Sequence, residues 1–281
     1  AGLKEKFNWN DGDEVLVPAV TFVATSNIVI QNRMTPVFVD VEFDTFNIDP
    51  RKIEEKITKK TSAVMVVHYG GKPVDMDGVN QFGFPVLEDA AHAIDSIYKG
   101  RHCGTLGESS IFSFDAVKNI STGEGGGVYH KDPEKLKRAY KLRYCGIAKS
   151  GFEASATKNR WWEYDISDFF PKMLNTDMAA GMGLEQLKKL PGFQQKRKEI
   201  WDTYTRTLSK ESWANSWLDI SKGPESFEQH SYFTFYIRLR AGSRDQLAKH
   251  LYDNGVYTSL RYHPLHLNKI YNSDAKLKNT E

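Results

Sequence analysis

The chain has 281 residues, 40% hydrophobic and 12% aromatic, so it can bury a large core and divide into one large and one small domain. Its 38 Lys and Arg residues nearly balance 36 Asp and Glu residues, so no strong field for nucleic acid or an anionic membrane is indicated. Two cysteines, Cys103 and Cys145, are too few for a disulfide framework, and neither a long apolar run nor a signal-peptide pattern occurs, so we expect a cytoplasmic protein.

Short apolar runs alternate with helical stretches along the first half of the chain. The runs are rich in Val, Ile and Phe, as expected for strands covered on both faces, and comprise residues 14–17, 36–41, 62–68, 85–88, 110–114 and 126–129. Asp49-Pro50 and Asp132-Pro133 each place a capping carboxylate before a proline, which predicts a helix start. We therefore expect an α/β fold with a mostly parallel sheet flanked by helices.

Two helical stretches follow in the second half. The first starts near Thr176 and carries Met178, Met182 and Leu190 on one side, and the second runs over residues 193–208. We expect both to belong to a large domain of residues 1–210.

A smaller α+β domain is predicted for residues 211–281. Residues 231–240 alternate in polarity like a strand with one buried face. Ser243 can cap a helix that Gly255 ends, and residues 256–262 have the composition of a further strand.

Three polar residues at strand ends predict a pyridoxal phosphate site. Lys118 lies between the strand that ends near Ser113 and a glycine-rich turn, and Asp89 ends an earlier strand. A lysine amine can hold the cofactor aldehyde as a Schiff base, an Asp can keep its pyridine nitrogen protonated, and a Ser can bind its phosphate. A lysine is usually a surface charge and an Asp often caps a turn, but the carboxyl end of a buried strand is where open α/β sheets bind ligands.

With these features the sequence resembles the DegT/StrS family of sugar aminotransferases, which are fold-type I pyridoxal phosphate enzymes. The resemblance rests on residues 11–15, 17–25, 35–41, 88–93, 112–114 and 118–119. The shared order and spacing of these motifs argue against a chance match.

The resemblance implies a role for each candidate residue. Lys118 and Asp89 would be catalytic, Ser113 would bind the phosphate, Phe22 would stack on the pyridine, and His92 would lie near the phenolic oxygen of the cofactor. From the residues alone, Phe22 and His92 could equally be core side chains.

Asn175 is a further cofactor-binding candidate. The family usually has an Asn, contributed by the neighbouring subunit, at the position that aligns with Leu174. Either the alignment slips by one residue and Asn175 contacts the phosphate, or that contact is lost. In the second case Asn175 could cap the helix that begins near Thr176.

Two segments are candidates for substrate binding. The resemblance places Arg261, Tyr262 and His263 near the sugar-nucleotide pocket, although they could also form an ordinary exposed turn. The aromatic segment 160–164 could stack a nucleobase or pack against a partner subunit.

The resemblance also implies features beyond the given residues. Family members have a Ser-Gly-Thr phosphate-binding turn before the position of Ala1 and a helical segment after Glu281, so we expect this chain to lack both segments and to bind the cofactor weakly. The family likeness further implies a homodimer with shared active sites.

The function that the resemblance implies is transfer of an amino group, from a donor such as glutamate, to a keto group of a nucleotide-linked deoxysugar. Residues 175–177 and 262–267 favour members that aminate C4 over those that act at C3. Two alternatives stay open: a sugar dehydratase on the same scaffold, whose relatives carry His where this chain has Lys118, and a non-catalytic or regulatory relative.

Overall fold

A computed structural model of the protein describes residues 2–147, 166–240 and 242–281. Its centre is a six-stranded sheet. In chain order the strands of the molecule are β1 Glu14–Pro18, β2 Thr35–Val39, β3 Thr61–Val67, β4 Val86–Asp89, β5 Ile97–Tyr98, β6 Arg101–His102, β7 Ser109–Ser113, β8 Gly126–His130, β9 Leu218–Ile220, β10 Glu228–Gln229 and β11 Ile237–Leu239. The large sheet has the order β2-β1-β3-β4-β7-β8, with β8 antiparallel to β7 and the other pairings parallel.

The predicted fold class is confirmed, because the six apolar runs of the first half form these six central strands. The inner strands β1 and β3 are apolar because both of their faces are covered. On β1, for example, Leu16 packs into one core cluster, whereas Val15 and Val17 point to the opposite face and pack into another.

The described helices are α1 Gly2–Lys6, α2 Ala24–Gln31, α3 Met76–Asn80, α4 Pro133–Leu142, α5 Asp177–Lys210, α6 Ser212–Trp217 and α7 Arg244–Asp253. Asp132 caps α4 as predicted, since its side chain accepts a hydrogen bond from the Glu134 N–H (2.9 Å). Asp49 likewise accepts from the Arg51 N–H (3.0 Å), but it starts two short 3₁₀ turns rather than an α-helix. Ile57 is already extended towards β3, which leaves no room for a longer helix.

The two helical runs predicted from the sequence form one continuous helix, α5, of 34 residues. Pro191 lies inside this helix. A proline removes one backbone hydrogen bond, but the helix continues because the hydrogen bonds on either side are kept. Leu190 is buried, but Met178 is 83% exposed and Met182 is 50% exposed. The predicted apolar face at the start of this helix is therefore uncovered in a single subunit.

The C-terminal part contains less strand than predicted. Only residues 237–239 of the predicted strand 231–240 pair, with β9, because the N–H groups of Phe233 and Thr234 instead bond to the carbonyl of Gly70. The predicted strand 256–262 is wrong: it finds no partner strand among the described residues, and most of it is exposed. Ser243 caps α7 as predicted.

The C-terminal residues also contribute to the core of the large sheet. Leu265 and Leu277 are buried in the cluster that contains Val15 and Val17 of β1. A division of the chain at residue 210 stays a prediction. Among the described residues, no helix is long and apolar enough to cross a membrane.

Candidate active site

The candidate site lies at one edge of the large sheet. Asp89 is the last residue of β4, Ser113 is the last residue of β7, and Phe22 follows β1. Because these strands are parallel, their carboxyl ends meet at the same edge, where open α/β folds bind ligands. Lys118 lies in the loop between β7 and β8 above that edge.

Asp89 is held by hydrogen bonds to both carboxylate oxygens. Thr25 Oγ1 donates to Oδ2 at 2.7 Å, and the Ala91 N–H donates to Oδ1 at 3.1 Å. Asp89 and Thr25 also line a cavity of about 590 Å³ whose other walls are mainly apolar side chains of α2 and the sheet. Apolar surroundings lower the local dielectric and strengthen the interactions of the carboxylate.

Lys118 is positioned by a compact turn. Its N–H donates to the Asp115 carbonyl at 3.0 Å, and the Asp115 side chain accepts from the Val117 N–H at 3.2 Å. The Lys118 ammonium lies 4.9 Å from the centre of the Phe233 ring.

The environment lowers the pKa of Lys118. Burial is the main cause and the positive charge of Arg261 adds to it, while the carboxylates of Asp89 and Asp115 oppose it. A lowered pKa increases the neutral fraction of the amine, and only the neutral amine can attack a carbonyl or accept a proton.

Asn119 anchors the residue that follows the lysine. Its side-chain amide donates to the Ser231 carbonyl at 2.7 Å and to Gln194 Oε1 at 2.9 Å. One side chain therefore ties the Lys118 loop to helix α5 and to the segment that carries Phe233.

His92 is buried between aromatic rings. Its ring stacks on Phe233 with centroids 4.2 Å apart and an interplanar angle of 19°. Burial, together with the positive charges of Lys118 and Arg261, lowers the pKa of His92 to about 3. The ring is thus neutral at physiological pH.

Hydrogen bonds define the tautomer of His92. Its Nδ1 accepts from the Gly70 N–H at 3.3 Å, so the proton of the neutral ring is on Nε2. Nε2 lies 3.3 Å from the Tyr262 hydroxyl and donates to it. This leaves the Tyr262 hydroxyl proton free to be donated to a ligand.

Ser113 and Asn175 flank the loop that carries Lys118. Ser113 Oγ accepts from the Asp115 N–H at 3.4 Å, a contact that uses a lone pair and leaves the hydroxyl proton to donate. The Asn175 side chain lies against Gly125, where a Cβ atom would be 3.0 Å from Asn175 Nδ2. The cap of α5 is Thr176, whose side chain accepts from the Ala179 N–H at 3.2 Å, so the alternative role of Asn175 as that cap is wrong.

The remaining candidates occupy the mouth of the site. Phe22 is 56% exposed and lies 6.1 Å from the Tyr262 ring, which leaves its face available for stacking. Arg261 interacts electrostatically with Lys118 and His92, whereas His263 is exposed. The aromatic segment 160–164 lies outside the described residues.

Sequence reasoning missed Thr25, Asn119 and Phe233. Thr25 ends one of the family motifs, and Phe233 lies in residues 231–240, for which the sequence predicts only a strand. Asn119 directly follows the lysine, but its two bonds reach residues 75 and 112 positions away, which no local pattern indicates.

This set of groups fits pyridoxal phosphate. The partly buried Lys118 amine suits its aldehyde, and the oriented Asp89 carboxylate suits its pyridine nitrogen. The Ser113 hydroxyl, with a free proton, suits its phosphate, and the exposed face of Phe22 suits its ring. In contrast, the described part of the chain contains no group of three or more His, Cys, Asp or Glu residues that could hold a metal ion.

Comparison with known proteins agrees with this assignment. The sequence profile described as "DegT/DnrJ/EryC1/StrS aminotransferase family" matches residues 2–281. The dTDP-4-dehydro-2,3,6-trideoxy-D-glucose 4-aminotransferase of Saccharopolyspora spinosa is 38% identical over 275 residues, which cover 96% of this chain and 70% of that protein.

Solved structures share the fold along the chain. The aminotransferase TlmJ from Streptoalloteichus hindustanus has a TM-score of 0.89 and 36% identity, covering 99% of this chain and 73% of its own. The PLP form of Spr1654 from Streptococcus pneumoniae has a TM-score of 0.85 and 29% identity, covering 96% of this chain and 72% of its own.

Proposed function

Since the chain belongs to the DegT/DnrJ/EryC1/StrS aminotransferase family, we propose that it moves an amino group from an amino acid, such as glutamate, to C4 of a nucleotide-linked keto-deoxysugar. Its class is that of a sugar aminotransferase, and its cofactor is pyridoxal phosphate. The observation that carries the proposal is the Lys118 amine, whose pKa is lowered, at the sheet edge that presents Asp89.

Lys118 is proposed to be the residue that binds the cofactor aldehyde and moves protons. Its neutral amine takes the proton from the α-carbon of the amino donor, and in the second half of the cycle its protonated form delivers a proton to the sugar carbon that receives nitrogen. The cofactor supplies a sink for the electrons of the breaking C–H bond. Asp89 supports this sink because its carboxylate holds a proton on the pyridine nitrogen.

Other residues are proposed to bind and orient. Ser113 and Asn175 hold the phosphate, Phe22 stacks on the pyridine, and His92 lies near the phenolic oxygen, where its Nε2 proton is donated to the Tyr262 hydroxyl. The neutral state of His92 suits this contact, because the ring then donates one hydrogen bond without adding a third positive charge beside Lys118 and the neighbouring arginine.

Arg261, Tyr262 and His263 are proposed to bind the nucleotide-sugar substrate. Arg261 offers a positive charge to the diphosphate, and Tyr262 offers its hydroxyl proton to the sugar. The preference for C4 is supported by the relative from Saccharopolyspora spinosa, whose name states 4-amination.

A homodimer with shared active sites is part of the proposal. The start of α5 and the residues before it expose several large apolar side chains: Phe169, Met173, Leu174, Met178, Met182, Leu184 and Leu187. A soluble monomer rarely leaves such a surface open, so a second copy of the chain is the partner that fits. Asn175 lies within this surface, beside the loop that carries Lys118.

Covalent trapping tests the central assignment. The chain is incubated with excess pyridoxal phosphate and reduced with borohydride, and the labelled peptide is identified by mass spectrometry. We expect the label on Lys118 and its loss in Lys118→Arg, whereas the control Lys188→Arg, which changes a lysine with a 71% exposed side chain, keeps the label. Equal labelling of exposed lysines, with normal amino transfer by Lys118→Arg, would refute the assignment.

The substrate is tested by amino transfer. Nucleotide-linked 3-keto and 4-keto deoxysugars are offered with glutamate, and NMR of the product locates the new amine. Amination at C4 is expected, and product that carries nitrogen only at C3 would overturn that part of the proposal.

A further inference from the structure

A pair of buried threonines connects helix α2 to the carboxylate of Asp89. Thr25 is 4% exposed and Thr21 is 1% exposed, and their hydroxyl oxygens lie 2.9 Å apart. Thr25 Oγ1 lies 2.7 Å from Asp89 Oδ2.

The direction of these hydrogen bonds is fixed by chemistry. An ionised carboxylate can only accept, so Thr25 donates its single hydroxyl proton to Asp89. Thr25 must then accept from Thr21. Both hydroxyl protons therefore point along one chain that ends at Asp89, and such chains strengthen each member through polarisation.

The geometry restricts how Asp89 can turn. One oxygen is held by Thr25 and the other by the Ala91 N–H at 3.1 Å, so rotation of the carboxylate breaks at least one bond. Each oxygen accepts one of these two bonds and retains a second lone pair for a ligand. Ala91 lies only two residues after Asp89 along the chain, but Thr25 comes from a different structural element and fixes the carboxylate relative to α2.

The arrangement is more specific than the need to satisfy a buried hydroxyl. Ser26, the next residue on α2, is 0% exposed, and its hydroxyl has no hydrogen-bond partner among the described residues. Helix α2 thus tolerates one unpaired hydroxyl at Ser26, whereas the hydroxyl of the adjacent Thr25 bonds to both Thr21 and Asp89.

We propose that Thr25, supported by Thr21, is a positioning residue that holds the Asp89 carboxylate in the orientation needed to keep the pyridine nitrogen protonated. This inference rests on the proposed role of Asp89. Thr25 itself does not contact the reacting atoms.

The test compares Thr25→Val, which keeps the branched shape and removes the hydroxyl, with Thr25→Ser, which restores it. Ser26→Ala is the matched control, because it removes a neighbouring buried hydroxyl that has no hydrogen-bond partner in the described structure. With ¹⁵N-labelled pyridoxal phosphate bound, the nitrogen chemical shift reports how far the pyridine is protonated. We expect a shift towards the unprotonated form in Thr25→Val and the wild-type shift in Thr25→Ser and Ser26→Ala.

Kinetics supply a second readout. Because Thr25→Val removes a hydrogen bond to a charged group, we expect kcat to fall by about tenfold and KM for the sugar to change by less than about threefold. If Thr25 had only a structural role, Thr25→Val would change stability and KM but not the nitrogen chemical shift. Thr25→Ser would then not restore kcat and the nitrogen shift together.

A third readout needs no cofactor. Side-chain couplings of labelled Asp89 should report one rotamer in the wild type and averaging in Thr25→Val. If Thr25→Val keeps the single rotamer and the wild-type nitrogen shift, the inference is wrong. If the couplings respond as expected but the wild-type chain never protonates bound pyridine, the proposed role of Asp89 fails instead, and Thr25 is left as an orienting residue alone.

Discussion

Replacement of Glu88 by Gln should strongly destabilise the fold. Glu88 is 2% exposed and precedes Asp89 on β4. Its Oε1 accepts from the N–H groups of Leu106 (2.7 Å) and Gly107 (2.6 Å), and its Oε2 accepts from the Gly104 N–H (2.6 Å) and His68 Nε2 (3.0 Å).

An amide cannot replace this carboxylate, because it has one oxygen and one NH₂ group. In either orientation the NH₂ group faces two donors. His68 cannot switch to accept, since its Nδ1 already accepts from the Val74 N–H at 3.1 Å. Two hydrogen bonds to a charged group are lost, each contributing about 1.5–3 kcal/mol, so the free energy of unfolding should fall by about 3–6 kcal/mol. This is a large share of the roughly 5–15 kcal/mol that stabilises a typical domain.

Urea unfolding at neutral pH measures the effect. The control Glu55→Gln removes a carboxylate whose side chain is 58% exposed and paired with Lys52, and we expect it to cost less than about 1 kcal/mol. A loss for Glu88→Gln no larger than that of the control would refute the reasoning.

The same variant has a pH signature. Burial raises the pKa of Glu88, but hydrogen bonds from His68 and from the N–H groups of Gly107 and Gly104 outweigh it and hold the pKa below its ordinary 4.5. A lowered folded-state pKa stabilises the protein above the unfolded value, and this stabilisation is lost as the pH falls through the folded value. The stability gap between wild type and Glu88→Gln should therefore narrow below about pH 4.5.

Four further predictions concern the site and its surroundings. Because burial lowers the pKa of Lys118, its positive charge opposes folding at neutral pH. Lys118→Met should therefore raise the urea midpoint of the cofactor-free chain, and this gain should fade as the pH approaches the ordinary lysine pKa of 10.5. A lower midpoint would contradict this. Asp89→Asn should keep most cofactor binding but reduce turnover more than about tenfold, or roughly 1.4 kcal/mol of barrier, and a smaller loss in steady-state assays would exclude its assigned role. Gly125→Ala should lower the free energy of unfolding in urea by about 1–3 kcal/mol, because φ is +150° and a Cβ would lie 2.6 Å from a threonine hydroxyl. The control Gly192→Ala has open space around it and should not lower the free energy of unfolding, so equal effects of the two changes would contradict the prediction. Met178→Glu should lower the mass seen by light scattering from dimer to monomer without unfolding the chain, and an unchanged mass would place the interface elsewhere.

The parts of the fold that local sequence determines were predictable. The central strands are short apolar runs between turn residues, and the caps at Asp132 and Ser243 act within three residues of themselves. Asp89 and Ser113 could be proposed from sequence because each ends such a strand, and Lys118 because it lies in the short loop after one.

The failures share a physical cause, which is dependence on distant partners. Residues 231–236 have strand periodicity, but the N–H groups of Phe233 and Thr234 bond to the Gly70 carbonyl and that of Tyr236 bonds to the Ser221 hydroxyl instead of to a strand. Thr25 reaches Asp89 across 64 positions, and periodicity carries no information about such a contact. The uncovered start of α5 likewise has an apolar pattern whose partner cannot be read from the same helix.

The reversal of direction at β8 makes the connection that carries Lys118 a local hairpin loop. Ser113 pairs with Gly126, and the Phe114 N–H bonds to the Gly125 carbonyl, so both ends of the loop that carries Lys118 are fixed on neighbouring strands. A parallel strand at this position would need a long crossover connection back to the opposite end of the sheet, whereas an antiparallel strand can be joined by a hairpin loop. For an engineer, changes in the length or sequence of this segment should move the Lys118 amine relative to the Asp89 carboxylate, provided that Asn119 keeps its bonds to Ser231 and Gln194.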